Sequence, residues 1–358
     1  MKKKNQEFIL ERLYSQKIRL YILASVISGG MLIFIYWLFS FGVGWFPWNS
    51  FNIGFSLSMA LCLVTELIGI PYCIHRMKES FRKIFENAPG YYDRFFESFY
   101  TRKSLYSLVL VIIIPFIGLN IYQILVDRKS FFLYEGTAVS LFLDIYNYVA
   151  GYSLLILLGL MLWIILMVTE GLGIALRDPV ADTVPLHLYS VDRMGGLAYM
   201  RSFILASLTV YLFIVTLLII SYVSPTQFWS FELIFTIALL FIGIWFLFTT
   251  LGRTRMLVRR RIQIFSDSLD NKIEEQNKHL LDFTTSGPGT SIEKEISSSK
   301  SLFDLYHSER ERLMELYKTT RGYDLKTVVQ SVIAFVLPIV AFFEKLMPYV
   351  STVQKFLL

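Results

Sequence analysis

The chain has 358 residues, of which 55% are hydrophobic and 17% charged, with a mean hydropathy of +0.54 and a formal net charge of +6. A soluble domain carries roughly 25% charged residues, so this composition excludes an ordinary water-soluble globular protein. It points instead to several spans of about 20 apolar residues, the length that crosses a bilayer. The two cysteines, Cys62 and Cys73, share one apolar run and stand too far apart along it to bridge within a helix, so no disulfide framework is implied.

In chain order, residues 1–16 are basic and mildly amphipathic, and no small-residue cleavage site precedes the first long apolar run. The apolar pattern predicts spans at 17–43, 51–74, 104–126, 138–176, 197–223 and 228–251. Gly29 and Gly30 would let a second helix approach the first span closely. Trp37, Trp45 and Trp48 mark a membrane interface. Residues 75–103 carry Phe81, Phe85, Phe95 and Phe96 opposite Arg and Lys, a pattern expected of two short helices lying in the headgroup plane on either side of Pro89-Gly90. The 138–176 run is too long for one membrane crossing, so it either projects beyond the bilayer or breaks near Gly151.

After the sixth span the chain turns polar. Val258, Ile262, Phe265 and Leu269 form a short heptad-like seam on one predicted helix. Leu302, Tyr306, Leu313 and Tyr317 share a face of a second, and the TTSGPGTS stretch between them is a turn. The expected organisation is a six-span transmembrane domain (1–251), a cytoplasmic helical hairpin (252–326) and a C-terminal apolar helix (327–358). That last helix, interrupted by Pro338 and Pro348, either spans, re-enters or lies at the interface. The fold class is all-α, a polytopic membrane helical bundle.

Lys and Arg orient it. Thirty of the 34 fall in residues 1–19, 75–103, 177–201 and 252–326. Six spans starting from a cytoplasmic N-terminus put all of those segments on the cytoplasmic side of the cell membrane, where positive charge collects. The partners expected on this basis are anionic headgroups, met by Arg259, Arg260 and Arg261 at the lipid boundary. Glycines in the spans and the 258–269 seam suggest a homo-oligomer. Nucleic acid is not expected.

Ionisable groups at membrane depth are functional candidates, because a charge at the bilayer centre costs roughly 2.5–3.5 kcal/mol or more. Glu66, Asn120 and Glu170 are therefore the pore or cavity candidates. A second candidate region is the polar island 177–201, which brings His187 and three aspartates together and contains Asp192, Arg193, Gly195 and Gly196. A histidine among carboxylates suits a divalent metal or acid–base work. The spacing matches no metal or catalytic motif, so no metal, cofactor or catalytic residue is assigned, and an enzyme is the least favoured class.

The string Pro185-Leu186-His187 … Asp192-Arg193-Met194-Gly195-Gly196-Leu197 resembles the Pro-x-His-Pro-Asp … Gly-Gly-Leu signature of a family of prokaryotic multi-span membrane proteins. Gly322-Tyr323-Asp324 before a proline-interrupted apolar helix resembles the end of those chains. Leu188 stands where that family has proline, and extra residues separate His187 from Asp192. The resemblance implies no activity. It implies that the loop and the last helix belong to one structural unit.

The function expected from all this is an ion or small-solute channel or transporter with cytoplasmic helices at its inner mouth. The alternative is a membrane-anchored scaffold or sensor that binds a cytoplasmic partner through the hairpin. A membrane-embedded metal-dependent enzyme using His187 is the third reading.

Overall fold

The computed structural model describes residues 9–42, 50–101, 103–125, 138–177, 180–185, 197–222, 231–285, 290–319, 329–341 and 343–344. Among them there is no strand, and the protein is a helical membrane bundle. The helices are α1 (Ile9–Gln16), α2 (Ile18–Gly42), α3 (Ser50–Ile84), α4 (Pro89–Thr101), α5 (Lys103–Leu125), α6 (Ala138–Ala175), α7 (Val180–Thr183), α8 (Ala198–Tyr222), α9 (Phe231–Thr285) and α10 (Thr290–Thr319), followed by α11 (Val329–Ala341). Five of these, α2, α3, α6, α8 and α9, are long and apolar enough to cross a membrane. Where the third span was expected the chain forms α5, a helix of 23 residues, roughly 34 Å. Leu23, Ile27, Met31, Phe34 and Leu38 of α2 are exposed, as are Leu110, Val111, Ile114, Ile117 and Ile121 of α5. Apolar faces of that extent are stable against hydrocarbon, not water.

The bundle is organised on α3, which packs most extensively on α8 and also against α2, α6 and α1. Lipid is as apolar as leucine, so helices associate through close contact and not through exclusion of water. Small residues mark each contact. A Cβ at Gly29 would lie 2.5 Å from Val64 Cγ2 and 3.3 Å from the Ala60 carbonyl oxygen, which is where α2 meets α3. Gly30, its neighbour, faces open space. A Cβ at Gly69 would lie 2.5 Å from Val210 Cγ1 on α8. At Gly159 the nearest atom would be Val109 Cγ2 on α5, at 3.0 Å. Hydroxyl-to-carbonyl bonds add direction to the contacts: Tyr21 Oη donates to Leu67 O at 2.8 Å and Tyr211 Oη to Leu239 O at 2.6 Å. At the polar end of the bundle, Lys78 on α3 pairs with Glu11 on α1.

Residues 75–103 differ from the expectation of helices resting on headgroups. α3 runs unbroken past Pro71 to Ile84, because a membrane helix whose neighbours re-satisfy the freed carbonyl tolerates proline. Only after a turn at 85–88 does α4 start. Phe81, Phe85, Phe95 and Phe96 are buried, and their rings pack against one another, with Phe81 and Phe95 tilted and their centroids 4.9 Å apart. The side-chain-free surface of Gly171 on α6 admits them: a Cβ there would lie 2.6 Å from Phe81 Cζ and 2.9 Å from Phe95 Cζ. A periodicity that fits a headgroup-facing helix fits a core-facing one equally well, and α6 supplies the core.

The long fourth run does not break at Gly151. α6 is continuous over 38 residues, roughly 57 Å, and so extends beyond a core of about 30 Å. α9 is longer still, 55 residues from the sixth span into the polar region without interruption. α10 folds back along it antiparallel. Arg310 pairs with Asp270, Lys272 lies 5.6 Å over the Tyr306 ring, and Arg259 lies 5.0 Å over the Tyr317 ring. The predicted seam is buried at Val258, Ile262 and Leu269, with Leu313 of α10 buried alongside, whereas Phe265 is exposed and Ser266 takes its place. Three of the four seam residues are thus buried within the chain.

The described part of α11 covers 13 residues. It lies beside α8, with which it lines a groove.

The glycine contacts yield the first prediction. Gly171→Ala should destabilise the purified protein by roughly 1–3 kcal/mol, because the buried Phe81 and Phe95 rings must move. Gly118→Ala, where nothing lies within 4 Å, should be neutral or stabilising. Thermal unfolding in detergent separates the two; equal midpoints would contradict the packing described.

Candidate functional site

Glu66 occupies the middle of α3, on the face that carries Cys62, Ile70 and Cys73. All four side chains are completely buried. This face meets α8, since Gly69 touches Val210 and Cys73 sits beside Ser207, so α3 and α8 run antiparallel here. Tyr21 of α2 closes the neighbouring side with its bond to the carbonyl of Leu67. Both Glu66 carboxyl oxygens are buried, and neither accepts nor donates a hydrogen bond among the described residues. Nearly all buried polar side-chain atoms find a partner, so a carboxyl with two orphaned oxygens calls for a reason. Leaving such a group unsatisfied costs roughly 1–3 kcal/mol when neutral and more when charged. The carboxyl in this closed interior is chemically suited to hold a proton and to release it when water or a cation reaches it.

The other predicted residues are not gathered around Glu66. Glu170 is half-buried near the end of α6, ahead of the exposed Arg177. Asn120 belongs to α5, but its side chain lies outside the described residues. His187, Asp192, Arg193, Gly195 and Gly196 also lie outside the described residues. Both ends of their loop are anchored. Val180, Ala181 and Val184 are buried, the Asn87 side-chain amide donates to the Thr183 carbonyl at 2.9 Å, and Leu197 is buried at the foot of α8. Lys83 lies 5.1 Å over the Tyr199 ring beside it. Among the described residues no three His, Cys, Asp or Glu side chains converge as a metal site.

Two of the arginines expected at the lipid boundary, Arg259 and Arg260, also make contacts inside the protein. Arg260 Nη1 donates to the Leu176 carbonyl at 2.8 Å, at the end of α6, and Arg259 stacks on Tyr317. Arg261 is half-buried. A further arginine, Arg253, carries a role that composition does not signal. It donates to the Thr169 carbonyl, and the missing side chain of Gly173 makes room for it, a Cβ there falling 3.0 Å from the Arg253 guanidinium. Arg253 and Arg260 lie seven residues apart on one face of α9, and together they tie α9 to the terminal turns of α6, where a cation also complements the helix dipole. Comparison with protein-family models, curated proteins and solved structures finds no match to this chain.

Two outcomes follow from this geometry. Glu66→Met keeps the volume and removes the orphaned carboxyl, so it should raise the thermal midpoint of the purified protein. A drop in the midpoint would mean that the carboxyl is held by an attractive partner. Arg260→Gln should cost roughly 1.5–3 kcal/mol, the worth of a hydrogen bond from a charged donor; an unchanged thermal midpoint would show that the α6–α9 clamp does not depend on it.

Proposed function

We propose that this integral membrane protein is a transporter in which Glu66 binds and releases a proton or other cation during the transport cycle. The observation that carries the reading is the wholly buried, unpartnered carboxyl of Glu66 in the α3–α8 interface. Carboxylates inside membrane bundles are rare, and those that occur serve ion pathways and proton relays. A permanently open channel would keep its lining carboxylate in contact with water. An occluded carboxyl fits a site that opens alternately to one side and the other. Glycine contacts at the α3–α8 and α8–α9 interfaces, Gly69 against Val210 and Gly243 against Tyr211, suit helices that slide or rock.

The orientation belongs to the same proposal. Its support is the distribution of Lys and Arg, 30 of the 34 lying in residues 1–19, 75–103, 177–201 and 252–326, segments that on this reading face the cytoplasm. A scaffold reading draws on a different observation, the exposed Leu281, Leu302, Leu305 and Met314 on the hairpin, which a partner helix would cover.

The test is proton flux in liposomes containing the purified protein, followed with an internal pH dye under imposed proton and cation gradients. Protein-dependent flux that Glu66→Gln abolishes, with the fold preserved by circular dichroism and thermal midpoint, is the expected result. Tight liposomes under every gradient would overturn the transport reading and turn attention to the hairpin. Flux that is indifferent to Glu66→Gln would overturn the role of Glu66.

A further inference from the structure

A second unsatisfied oxygen lies in the same interface as Glu66. Ser207 on α8 is completely buried, and its Oγ has no hydrogen-bond partner of ordinary geometry among the described residues. The Cys73 thiol of α3 lies beside it and is a weak partner. A buried hydroxyl on a helix can donate to the carbonyl one turn back, and Thr216 of α8 does so. The Tyr211 hydroxyl is committed to Leu239 O, and that of Tyr21 to Leu67 O. Ser207 is left able both to accept and to donate. Its place along the bundle gives it a direction. Glu66 and Cys73 are two turns apart on one face of α3, about 10 Å along the axis. Ile70, completely buried, and Val210, seated on the bare surface of Gly69, stand in that interval. Beyond Cys73, α3 runs on to Lys78, paired with Glu11, and to Lys83, over the Tyr199 ring in the first turn of α8. Ser207 thus lies between Glu66 and the polar end of the bundle.

Resting on the transport reading of Glu66, we infer that the transported ion is a proton and that it reaches Glu66 from the polar end by way of Ser207. Ile70 and Val210 form the closed gate between the two. A gap of about 10 Å exceeds one hydrogen bond severalfold, so a short file of water bridges it once α3 and α8 part. Ser207 Oγ accepts from the water on the polar side and donates to the water on the Glu66 side. Each link passes its proton forward and receives the one behind it. The last proton comes to rest on the Glu66 carboxylate, and Ser207 ends as it began, a neutral hydroxyl. The seam suits a proton better than a hard metal ion. Such ions take about six or more oxygen ligands, whereas the unsatisfied side-chain oxygens here are those of one carboxyl and one hydroxyl.

The experiment measures proton flux in liposomes holding the full-length protein, with and without Ag⁺, a small water-borne ion that seeks thiols. Ser207→Ala removes one buried oxygen and should slow the flux roughly fivefold, the effect of one hydrogen bond in the file. Ag⁺ should block the flux of Cys62→Ala, in which Cys73 is the remaining thiol. It should not block Cys62→Ala combined with Cys73→Ala. Val210→Ala, which thins the gate, should speed the block in the Cys62→Ala background; an equal rate would overturn the gate. A merely structural serine would not make Cys73 a point at which an aqueous ion stops proton flux. Unchanged flux in Ser207→Ala, or no Ag⁺ block at Cys73, would overturn the path, while loss of flux in Glu66→Gln would leave the transport reading standing. Liposomes with unaltered protein that pass no protons would overturn that reading, and the path with it. Should Ser207→Ala fail to fold, the Ag⁺ arm decides, since it leaves Ser207 in place.

Discussion

Within hydrocarbon no water meets a backbone amide or a side-chain carboxyl, and every polar group must be satisfied by the chain itself. That constraint explains why α3, α6 and α9 continue as single helices well beyond the thickness of a membrane: once the ladder of backbone bonds is established, interrupting it inside lipid would orphan several groups at once. It explains the serine and threonine pattern too. Ser25, Thr65, Thr169, Thr216, Thr250 and Thr254 each donate to a carbonyl about one turn back on their own helix and so need no partner from outside. Against that background of satisfied polar atoms, the Glu66 carboxyl stands out.

The same constraint shifts the burden of association onto contact geometry. α3 reaches its neighbours through Gly69, and it receives α2 at Gly29 and α6 at Gly171. Each position brings side-chain atoms to within 2.5–2.6 Å of where a Cβ would stand. Dispersion decays steeply with separation, so a helix pair that closes the gap by one methyl group gains contacts along its whole length. At the polar end the means are different. There the bundle is tied by Arg253 and Arg260 to carbonyls of α6, by Lys78 to Glu11, and by stacked cations along the α9–α10 hairpin. These bonds work where water begins.

The spans were legible because a run of 20 consecutive apolar residues suits little but the interior of a bilayer, and the hairpin was legible from its heptad seam. Glu66 was legible because a carboxylate in such a run costs energy wherever it points. What could not be read was direction. A stripe of Phe81, Phe85, Phe95 and Phe96 has the same spacing whether it faces headgroups or Gly171, and only the position of α6 decides. Arg259 and Arg260 look alike in sequence to any basic cluster at a lipid boundary, yet one stacks on Tyr317 and the other caps α6, because α10 and α6 end where they do. Arg253 could not be found at all without knowing that Gly173 lies opposite it. A break near Gly151, where glycine costs a helix roughly 1 kcal/mol, was one of two expectations for so long a run; the other, a continuous helix longer than the hydrocarbon core, is the one that forms.

The position of Glu66 relative to these devices makes it more than an isolated oddity. The carboxyl lies one residue from Leu67, whose carbonyl takes the Tyr21 hydroxyl from α2, and three from Gly69, where α8 comes closest. Both contacts that bound the site are therefore of the kind that can be remade at small cost: a hydroxyl that can turn to another carbonyl, and a glycine surface along which Val210 can slide. A carboxyl that was merely a relic in the core would be better served by a fixed partner, since one hydrogen bond recovers most of the penalty. Here the surroundings leave the group unsatisfied in the closed bundle and adjoin it to the two contacts most easily shifted. Separation of α8 from α3 by the width of a water molecule would satisfy the carboxyl, and protonation would favour closing again. On the proposed transport reading, the energy that burial of Glu66 costs would couple its charge to the α3–α8 interface.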